Sequence, residues 1–368
     1  MTAWYEIENA DEVPSPSLLI YPDRIVENLR RMITLAGDVT RLRPHVKTHK
    51  LPQVVELKRS LGIDKFKAST IAEAEMTAAA GGKDILLAYQ PVGPNVRRLP
   101  ELIKRFPDSH FSSLVDNPAS LHRIADTAQN AGEIVDLYVD LNVGMNRTGI
   151  APGSAAAELY RTLSCTRGVR AGGLHAYDGH LHEPDHATLV EQTKQTFEPV
   201  WQLRDQLLQE GLSVPNVIAA GTPTSGLLAQ SGFAEVGAGT TVLWDFGQPE
   251  ISPDLDFLNA AVLLARVISR PTPDRICIDL GHKAVASEMP APRVRFFGLE
   301  DALPVMHSEE HLVLETPHAD RFPVETVLYG IPRHICPTVA LHQTVWCVRE
   351  HRAVETWPVT ARARCITI

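Results

Sequence analysis

The run Arg43-Pro44-His45-Val46-Lys47-Thr48-His49-Lys50 contains the lysine best suited to covalent chemistry. Lys47 stands between two histidines, at the end of an early segment, Thr40–Lys47, that has the composition of a strand. The neutral amine of a lysine is the nucleophile that forms a Schiff base, and neighbouring cations make that amine easier to deprotonate. A basic surface loop is the alternative for this stretch taken alone, so the choice depends on what else the sequence places near Lys47.

Four other polar segments occur where predicted strands end: Asn142–Gly149, His175–His180, Gly221–Gly226 and Gly237–Thr240. Barrel enzymes of alternating strands and helices place their active sites at the C-terminal ends of the strands. The last two segments are rich in Gly, Thr and Ser, and they follow the last two predicted strands, where such barrels commonly bind phosphate. Neither contains the lysine of a Walker-type loop, so a nucleoside triphosphate is not indicated. Together the two loops favour a phosphate site over a pair of ordinary tight turns.

Strand-like and helix-like segments alternate from about residue 15 to residue 245. This order predicts an α/β protein with a mostly parallel sheet, and about eight repeats favour a closed (β/α)8 TIM-type barrel over an open, doubly wound sheet. An open sheet for dinucleotides would carry Gly-x-Gly-x-x-Gly after an early strand, and this sequence lacks it. The predicted strands are Ser17–Tyr21, Thr40–Lys47, Lys65–Ser69, Asp84–Tyr89, His110–Val115, Asp136–Val143, Arg170–Ala176, Val217–Ala220 and Ala234–Gly237. The predicted helices are Ile25–Leu35, Ile71–Ala80, Pro118–Ala131, Ser154–Leu163 and Ala187–Leu208.

After Trp244 the pattern changes to short strand-like runs separated by turns that contain Pro and Gly. Such a pattern predicts a second, mostly antiparallel β domain. We therefore predict a barrel over residues 15–248 and a β domain formed by residues 1–14 and 249–368. The predicted strands of the β domain are Ala261–Ser269, Arg275–Asp279, Arg293–Gly298, His311–Glu315, Thr326–Tyr329 and Thr344–Val348.

The composition indicates a protein with a large core and a small-molecule ligand. The chain has 368 residues, 44% of them hydrophobic, and a net charge of -9 with scattered basic residues. This charge argues against nucleic acid and against an anionic membrane as partners. No apolar run approaches the roughly 20 residues of a membrane span, and the first residues lack the regions of a signal peptide. The five cysteines do not suggest a disulfide framework, so we predict a cytoplasmic protein.

His334 and Cys336 lie between Pro332 and Pro337 in the predicted β domain. In an extended segment, residues i and i+2 project in the same direction. Imidazole and thiolate together suit zinc or another borderline-soft divalent ion. Two protein ligands would leave positions open for water and substrate, as a catalytic metal requires. The alternative is that Cys336 is simply a buried side chain.

These segments together resemble the D-threonine aldolase and D-serine dehydratase family, which comprises metal-dependent pyridoxal phosphate enzymes with the alanine racemase type of fold. The likeness extends over essentially the whole chain. The resemblance implies pyridoxal 5'-phosphate, a divalent metal (Zn2+ or Mn2+), a homodimer and a D-amino acid substrate. The segments that carry it are Arg-Pro-His-Val-Lys-Thr-His-Lys (43–50), Asn-Arg-Thr-Gly (146–149), His-Ala-Tyr-Asp-Gly-His (175–180), Gly-Thr-Pro-Thr-Ser (221–225) and Pro-Arg-His-Ile-Cys-Pro (332–337).

The resemblance also implies a role for each candidate residue. Lys47 would hold the cofactor covalently, and Arg147 would approach its phenolic oxygen or contact its ring region. His175 and Tyr177 would line and orient the ring, and His180 is a further catalytic candidate. The metal would be bound by His334 and Cys336. The phosphate would be held by Gly221, Thr222, Gly237, Gly239 and Thr240, with Ser225 assisting.

The implied activity is that of a lyase on D-β-hydroxy amino acids. Cleavage of Cα–Cβ would give glycine and an aldehyde, whereas loss of the α-proton and the hydroxyl would give a keto acid. In this family the second metal ligand is a carboxylate in well-known aldolases and a cysteine in well-known dehydratases, so Cys336 departs from the aldolase pattern. The motif wording and the chain length nevertheless favour D-threonine aldolase activity, with D-serine or D-3-hydroxyaspartate dehydration as the alternative. An amino-acid racemase needs no metal and a non-catalytic pyridoxal phosphate carrier usually has no β domain, so both are less favoured.

Overall fold

The computed structural model describes residues 2–232 and 234–368. The chain divides into two compact units, which we call the β unit and the barrel unit. The β unit comprises Met1–Leu29, Thr48–Leu51 and Thr240–Arg362, and the barrel unit comprises Arg30–Lys47, Pro52–Gly239 and Ala363–Ile368. The domain limits predicted from the sequence stay a prediction.

Strands and helices follow each other in the order that the sequence pattern predicts for an α/β barrel and a β domain. The strands are β1 (Ser17–Ile20), β2 (Lys65–Ala68), β3 (Asp84–Leu87), β4 (His110–Val115), β5 (Val135–Leu141), β6 (Val169–Ala176), β7 (Asn216–Ala219), β8 (Ala234–Val236), β9 (Ala261–Thr272), β10 (Arg275–Ile278), β11 (Val294–Phe296), β12 (Leu303–His307), β13 (Leu312–Glu315), β14 (Val327–Pro332), β15 (Thr344–Arg349) and β16 (Arg352–Pro358). The α-helices are α1 (Pro22–Ala36), α2 (Pro52–Ser60), α3 (Ile71–Ala79), α4 (Arg98–Arg105), α5 (Pro118–Ala131), α6 (Ser154–Cys165), α7 (His186–Gln209), α8 (Ser225–Gln230), α9 (Gln248–Ile251) and α10 (Ile335–Leu341).

The barrel unit is built on strands β2 to β8, which pair in parallel in sequence order. An eighth segment closes the ring, because Leu42 forms a parallel bridge to Val236 of β8 and His45 forms one to Lys67 of β2. A helix follows each of the strands β2 to β7 and provides the crossover that parallel strands need. The architecture is therefore the (β/α)8 barrel predicted from the sequence, with the apolar residues Leu86, Leu114, Tyr138 and Ile218 packed together in one buried cluster.

The eighth segment of the barrel corrects the prediction of a strand over Thr40–Lys47. The chain instead forms 3-10 helices at Val39–Arg41 and Val46–Thr48. Between them, the Arg43 N–H donates to the Val236 carbonyl at 2.9 Å, and the Pro44 carbonyl accepts from the Lys67 N–H at 3.2 Å. Pro44 has no N–H to donate, so a regular strand ladder cannot continue through it. Lys47 consequently lies in a 3-10 helix and not at the end of a strand.

The side chain of Arg43 reinforces this irregular segment from inside the barrel unit. Its guanidinium is fully buried and makes two hydrogen bonds to the Asp84 carboxylate, at 2.7 and 2.6 Å, and one to Glu235 at 2.6 Å. Lys65 also pairs with Glu235. Although burial raises the pKa of Asp84, the bonds from Arg43 and His110 hold it well below its ordinary value. The planar fork of an arginine is suited to such bidentate contacts.

The β unit contains a nine-stranded, mostly antiparallel sheet. Its main order is β12-β13-β10-β9-β1-β15-β16, and β14 pairs with both β9 and β11. The six predicted strands of this region are confirmed as β9, β10, β11, β13, β14 and β15, whereas β12 and β16 were not predicted. The predicted strand Ser17–Tyr21 forms as β1, but it pairs antiparallel with β9 and parallel with β15 and is not part of the barrel.

The buried face of this sheet has its own apolar core, which contains Leu19, Val262, Leu264, Ile331 and Val348. Strand β1 contributes to that core because all four of its residues are buried. A fully buried strand cannot be assigned to one sheet or another from periodicity alone, which explains why the sequence placed β1 in the barrel.

None of the helices in residues 2–232 and 234–368 combines the length and the apolar character needed to span a membrane.

We predict that Arg43→Met strongly destabilises the protein, because it leaves the Asp84 and Glu235 carboxylates without their buried partner. Removing one member of a buried ion pair costs about 3–5 kcal/mol. The control is Arg170→Met, since Arg170 also binds a carboxylate, Asp136 at 2.7 Å, but is 65% exposed. An exposed pair contributes about 1 kcal/mol or less. Urea denaturation of both variants measures the difference, and equal losses of unfolding free energy would contradict the role of Arg43.

Candidate active site

Lys47 and Tyr177 form one side of the candidate site in the barrel unit. Lys47 lies in the 3-10 helix Val46–Thr48, and its backbone N–H donates to His45 Nδ1 at 3.3 Å. Tyr177 follows directly after β6, and the Lys47 ammonium nitrogen lies 5.6 Å from the centre of its ring. The structure therefore brings together two residues that the sequence predicted for the site from segments 130 positions apart in the chain.

Arg147 joins this group from the loop after β5. Its guanidinium carbon lies 5.0 Å from the centre of the Tyr177 ring, within the range of a cation–π contact. The loop is shaped by Asn142, whose side-chain oxygen accepts from the N–H groups of Gly144 at 3.1 Å and Asn146 at 3.0 Å. Gly149 is required because a Cβ there would lie 2.7 Å from the Asn142 backbone nitrogen.

His175 lies at the centre of a buried chain of three polar side chains. Its Nδ1 is 2.7 Å from Asp140 Oδ1, and its Nε2 is 3.0 Å from the Lys67 ammonium nitrogen. An ionised carboxylate can only accept, so Nδ1 carries the ring proton and Nε2 accepts from Lys67. Burial, together with the Lys67 charge, lowers the pKa of His175, although Asp140 opposes this effect. The imidazole is therefore held neutral and in one tautomer.

Lys67 and Asp140 were not singled out from the sequence. Lys67 is 3% exposed, and its amine lies 5.7 Å from the Tyr177 ring centre, about as far as the amine of Lys47. The signal was present in the alternation Lys65-Phe66-Lys67 of strand β2, because alternate residues of a strand point to opposite faces. Phe66 is fully buried on one face, so the two lysines belong to the other.

The loop Gly221–Gly226 is organised by Asp178, which is 1% exposed. Asp178 Oδ1 accepts from the Gly221 N–H at 2.5 Å, and Oδ2 accepts from the Thr224 hydroxyl at 2.5 Å. The Ser225 hydroxyl donates to the Thr222 carbonyl at 2.8 Å. Burial raises the pKa of Asp178, although these hydrogen bonds oppose that shift. The carboxylate thus fixes the backbone path of a predicted phosphate loop.

The second predicted phosphate loop, Gly237–Thr240, follows β8. The Gly237 N–H donates to the Ala219 carbonyl at 3.0 Å, so this amide already has a partner, as does that of Gly221. Gly237 and Gly239 belong to the barrel unit, whereas Thr240 belongs to the β unit and begins the 3-10 helix Thr240–Val242. A Cβ on Gly237 would lie 2.8 Å from Lys67 Cδ.

His180 contributes a buried polar atom without a partner. Within residues 2–232 and 234–368, its Nδ1 is buried and forms no hydrogen bond. Its Nε2 lies 2.7 Å from the position that a Cβ on Gly144 would take, so the glycine leaves room for the ring. A buried nitrogen of this kind is costly unless a ligand or water satisfies it.

The residues of the barrel unit fit an aromatic phosphate ester with a reactive carbonyl, such as pyridoxal 5'-phosphate. Lysine amines, a guanidinium, a neutral imidazole and a tyrosine ring surround one region, and two glycine-rich loops follow β7 and β8. The free Nδ1 of His180 is an orphaned polar atom among the described residues and is consistent with a ligand there. These are the groups that such a cofactor requires of a protein.

The candidate metal ligands, His334 and Cys336, occupy a different local structure from the one predicted. They were expected on an extended segment, but His334 is the N-cap of α10 and Cys336 lies in the first turn of that helix. Pro337 is compatible with this arrangement, since the first turn of a helix needs no donor at those positions. Asp245 Oδ2 accepts from the Ile335 N–H at 2.9 Å and fixes the helix start.

The two candidate ligands nevertheless interact directly within the β unit. Burial lowers the pKa of His334, but the hydrogen bond and charge of Cys336 outweigh it and raise that pKa to about 9. Burial raises the pKa of Cys336, but His334, Thr48 and Thr240 lower it below its ordinary value. The Thr48 hydroxyl is 3.1 Å from the sulfur.

The chemistry of the pair fits a divalent cation, because His and Cys are the ligands that zinc prefers. His334 Nδ1 is 2.5 Å from Glu288 Oε1, which leaves Nε2 as the coordinating nitrogen. In metal sites a carboxylate on the second ring nitrogen commonly orients the imidazole. Within the described residues, no group of three His, Cys, Asp or Glu side chains has metal-binding geometry.

Comparison with known sequence families identifies both parts of the chain. The profile of the alanine racemase N-terminal domain matches residues 20–244, and the profile of a serine dehydratase domain matches residues 260–348. The chain is 30% identical to a D-threonine aldolase of Arthrobacter sp over 357 residues, which cover 95% of this chain and 93% of that protein. It also superimposes on the crystal structure of a D-threonine aldolase from Filomicrobium marinum with a TM-score of 0.86, at 27% identity, covering 98% of each chain.

A dehydratase is among the similar proteins as well. The chain is 29% identical to the D-threo-3-hydroxyaspartate dehydratase of Delftia sp., over 93% of this chain and 96% of that protein. Solved structures of that dehydratase, at a TM-score of 0.79 and 0.78, include a His→Ala variant and a Cys→Ala variant. The substituted residues stand two positions apart, and the Cys→Ala structure is described as metal-free.

We predict that Asp178→Ala weakens the binding of pyridoxal 5'-phosphate about tenfold or more. The change removes the charged acceptor for the Gly221 N–H and the Thr224 hydroxyl, and a hydrogen bond to a charged group contributes about 1.5–3 kcal/mol. The dissociation constant is measured from the visible absorbance of the bound cofactor. Asp185→Ala is the matched control, because Asp185 is an exposed N-cap of α7 that binds Thr188 outside the loop. An unchanged dissociation constant in Asp178→Ala would contradict the role of Asp178.

Proposed function

Because the chain belongs to the alanine racemase N-terminal domain family and, within it, to the D-threonine aldolase and D-serine dehydratase family, we propose that it is a lyase of D-β-hydroxy amino acids. The first proposed activity is that of a D-threonine aldolase, which releases glycine and an aldehyde. The observation that carries the proposal is the grouping of Lys47 and Arg147 around Tyr177, beside the buried chain Lys67–His175–Asp140.

Pyridoxal 5'-phosphate is the proposed cofactor, and Lys47 is the residue to which it is attached. When bound, the cofactor supplies an electron sink for a bond broken at the α-carbon of an amino acid. Lys47 would provide the amine that holds the cofactor. Arg147 provides a fixed guanidinium, and Tyr177 provides an aromatic surface against which a planar ring is positioned.

The remaining residues of the barrel-unit site would hold the cofactor and orient the groups around it. Neutral His175 is fixed by Asp140, so it presents the same tautomer throughout. His180 offers a buried Nδ1 for a hydrogen bond to a ligand. For the phosphate, we assign the donor role to the amides of Thr222 and Gly239. Gly221 and Gly237 contribute by shape, since their amides already donate to protein atoms, and Ser225 braces the Thr222 carbonyl. A contribution of Thr240 stays a prediction from the sequence.

His334 and Cys336 are the proposed ligands of a divalent cation, Zn2+ or Mn2+. Bound there, a cation supplies Lewis acidity toward a hydroxyl oxygen. Glu288 Oε1 accepts a hydrogen bond from His334 Nδ1–H and so orients the ring. The Thr48 hydroxyl lies 3.1 Å from the Cys336 sulfur and lowers the pKa of that thiol, which favours the thiolate. The two substituted residues of the Delftia dehydratase, spaced as His334 and Cys336 are, support this assignment.

The alternative activity is that of a dehydratase acting on D-3-hydroxyaspartate or D-serine. Cys336 favours it, because the similar dehydratase has a cysteine whose substitution is associated with a metal-free structure. The aldolase is preferred because the 30% identity to the Arthrobacter aldolase extends over 95% of the chain. A homodimer and a cytoplasmic location stay predictions, and so does the D configuration of the substrate.

The test is product analysis with the D and L forms of threonine and serine, in the presence of pyridoxal 5'-phosphate and Mn2+. We expect glycine and acetaldehyde from D-threonine, with L-threonine at least about 10^4-fold poorer in kcat/KM, because the wrong enantiomer leaves polar groups of the site without partners. Cys336→Ala, or addition of a chelator, should abolish turnover while the visible absorbance of the cofactor persists. Cys347→Ala is the matched control, since Cys347 is a buried cysteine of β15.

Each of the other outcomes points to a different activity. 2-Oxobutanoate from D-threonine, or pyruvate from D-serine, would replace the aldolase with the dehydratase. Interconversion of the enantiomers without chemistry at Cβ would identify a racemase. Full activity in metal-stripped protein would contradict the metal assignment.

A further inference from the structure

We propose that Lys67 is a further residue of the cofactor site, a positioning residue that fixes His175 and places a second cation beside the one that carries the cofactor. The inference rests on the proposed function, since it concerns how that site is organised. The sequence motifs do not assign a role to this lysine.

The first observation is the burial and bonding of the Lys67 side chain. Lys67 is 3% exposed, and its amine bonds His175 Nε2 at 3.0 Å. A lysine is almost never fully buried without a specific partner, because the charge must leave water. The partner here is an imidazole whose other nitrogen is committed to Asp140. With Lys67 in place, both ring nitrogens of the Nδ1–H tautomer of His175 have a hydrogen-bond partner.

The second observation is that Lys67 and Lys47 stand at the same distance from one aromatic ring. Their amines lie 5.7 and 5.6 Å from the Tyr177 ring centre. Tyr177 is the residue against which we place the ring of the cofactor, so both amines face the same ligand region.

The third observation is that Gly237 makes room for Lys67. A Cβ at position 237 would lie 2.8 Å from Lys67 Cδ and 3.1 Å from its amine. Real Cβ atoms do not come so close to other atoms, so any larger residue at 237 would displace the lysine. The backbone of Gly237 does not have the positive φ that favours glycine. The absence of a side chain at 237 is therefore explained by the space that Lys67 takes.

The charges that face Lys67 agree with a group that can lose its proton. They are the Lys47 and Arg43 cations, the Asp140 and Asp178 carboxylates, and neutral His175. Burial, with the Lys47 charge, lowers the pKa of Lys67 to about 7, while the two carboxylates oppose this change. A charge held near a pyridoxal ring tunes its electronic properties. Lys67 would thus affect the ionisation of the bound cofactor as well as the orientation of His175.

The experiment is a pH titration of the visible absorbance of the cofactor-loaded enzyme, which does not depend on turnover. In Lys67→Met we expect the midpoint to move to higher pH by about one unit, because loss of a neighbouring cation favours the protonated form of the groups that remain. Lys67→Arg keeps a cation at every pH, so its midpoint should lie at or below the wild-type midpoint. Lys65→Met is the matched control, since Lys65 lies on the same strand but pairs with Glu235.

A second variant tests the same contact without touching Lys67. Gly237→Ala should displace the amine and move the midpoint in the same direction as Lys67→Met. The double variant should show no more than the larger single shift, since two changes that remove one contact are not additive. This variant also decides the matter should Lys67→Met fail to fold.

The outcomes separate this inference from the proposed function. Cofactor that is bound with the same midpoint in wild type, Lys67→Met and Gly237→Ala would overturn the role of Lys67 and leave the lyase proposal intact. A wild-type protein that gains no visible absorbance with pyridoxal 5'-phosphate would instead overturn the proposed function.

Discussion

The barrel unit depends on the buried contact of Arg43 with Asp84 and Glu235. Among residues 2–232 and 234–368, the segment that closes the ring of strands forms two isolated backbone bridges, at Leu42 and His45, because Pro44 interrupts the ladder. The three hydrogen bonds of the Arg43 side chain, two to Asp84 of β3 and one to Glu235 of β8, add to these backbone contacts. Lys47 lies four residues after Arg43, so the contacts of Arg43 also determine where the reactive amine lies.

The interior of the barrel unit contains buried polar side chains near the C-terminal ends of the strands. Lys67, His175, Asp140 and Asp178 are all buried, although burying charged groups opposes folding. Each of them has a hydrogen-bond partner, and the partners belong to strands or loops that the sequence also assigned to the site. Such networks hold side chains in single orientations and are expected where a ligand must be positioned.

The sequence predicted what depends on periodicity and local composition. The alternation of strands and helices was sufficient for the barrel, and six strands of the β unit were found in place. Pro44 accounts for one of the errors, because it lies in a segment with strand composition and interrupts the backbone ladder there. The second error is the segment with His334 and Cys336, which was expected to be extended in the predicted β domain, whereas α10 begins there. Hydrophobic periodicity does not separate the two structures over so short a stretch.

The sequence predicted site residues from the segments that follow predicted strands. Two residues that lie within strands were therefore not predicted. Lys67 and Asp140 belong to β2 and β5, and their role depends on which face of the barrel each residue takes. The face follows from the alternation of side chains along each strand. The contacts of Lys67 and Asp140 with His175, however, join β2, β5 and β6 and form only once the barrel is closed. Asp178 belongs to the motif His-Ala-Tyr-Asp-Gly-His (175–180). Its hydrogen bonds to Gly221 and Thr224 join two loops that are distant in the chain, so the spacing of residues in the sequence does not reveal them.

The central claim is that Lys47 carries the cofactor while Lys67, at the same distance from Tyr177, does not. Borohydride reduction of the cofactor-loaded protein, followed by peptide mapping, tests it most directly because reduction makes the attachment permanent. The account predicts a label on the peptide that contains Lys47, with Lys67, Lys50 and Lys283 unmodified. A label on Lys67 would contradict it, because the reactive amine would then come from β2 and not from the segment that Arg43 holds in place.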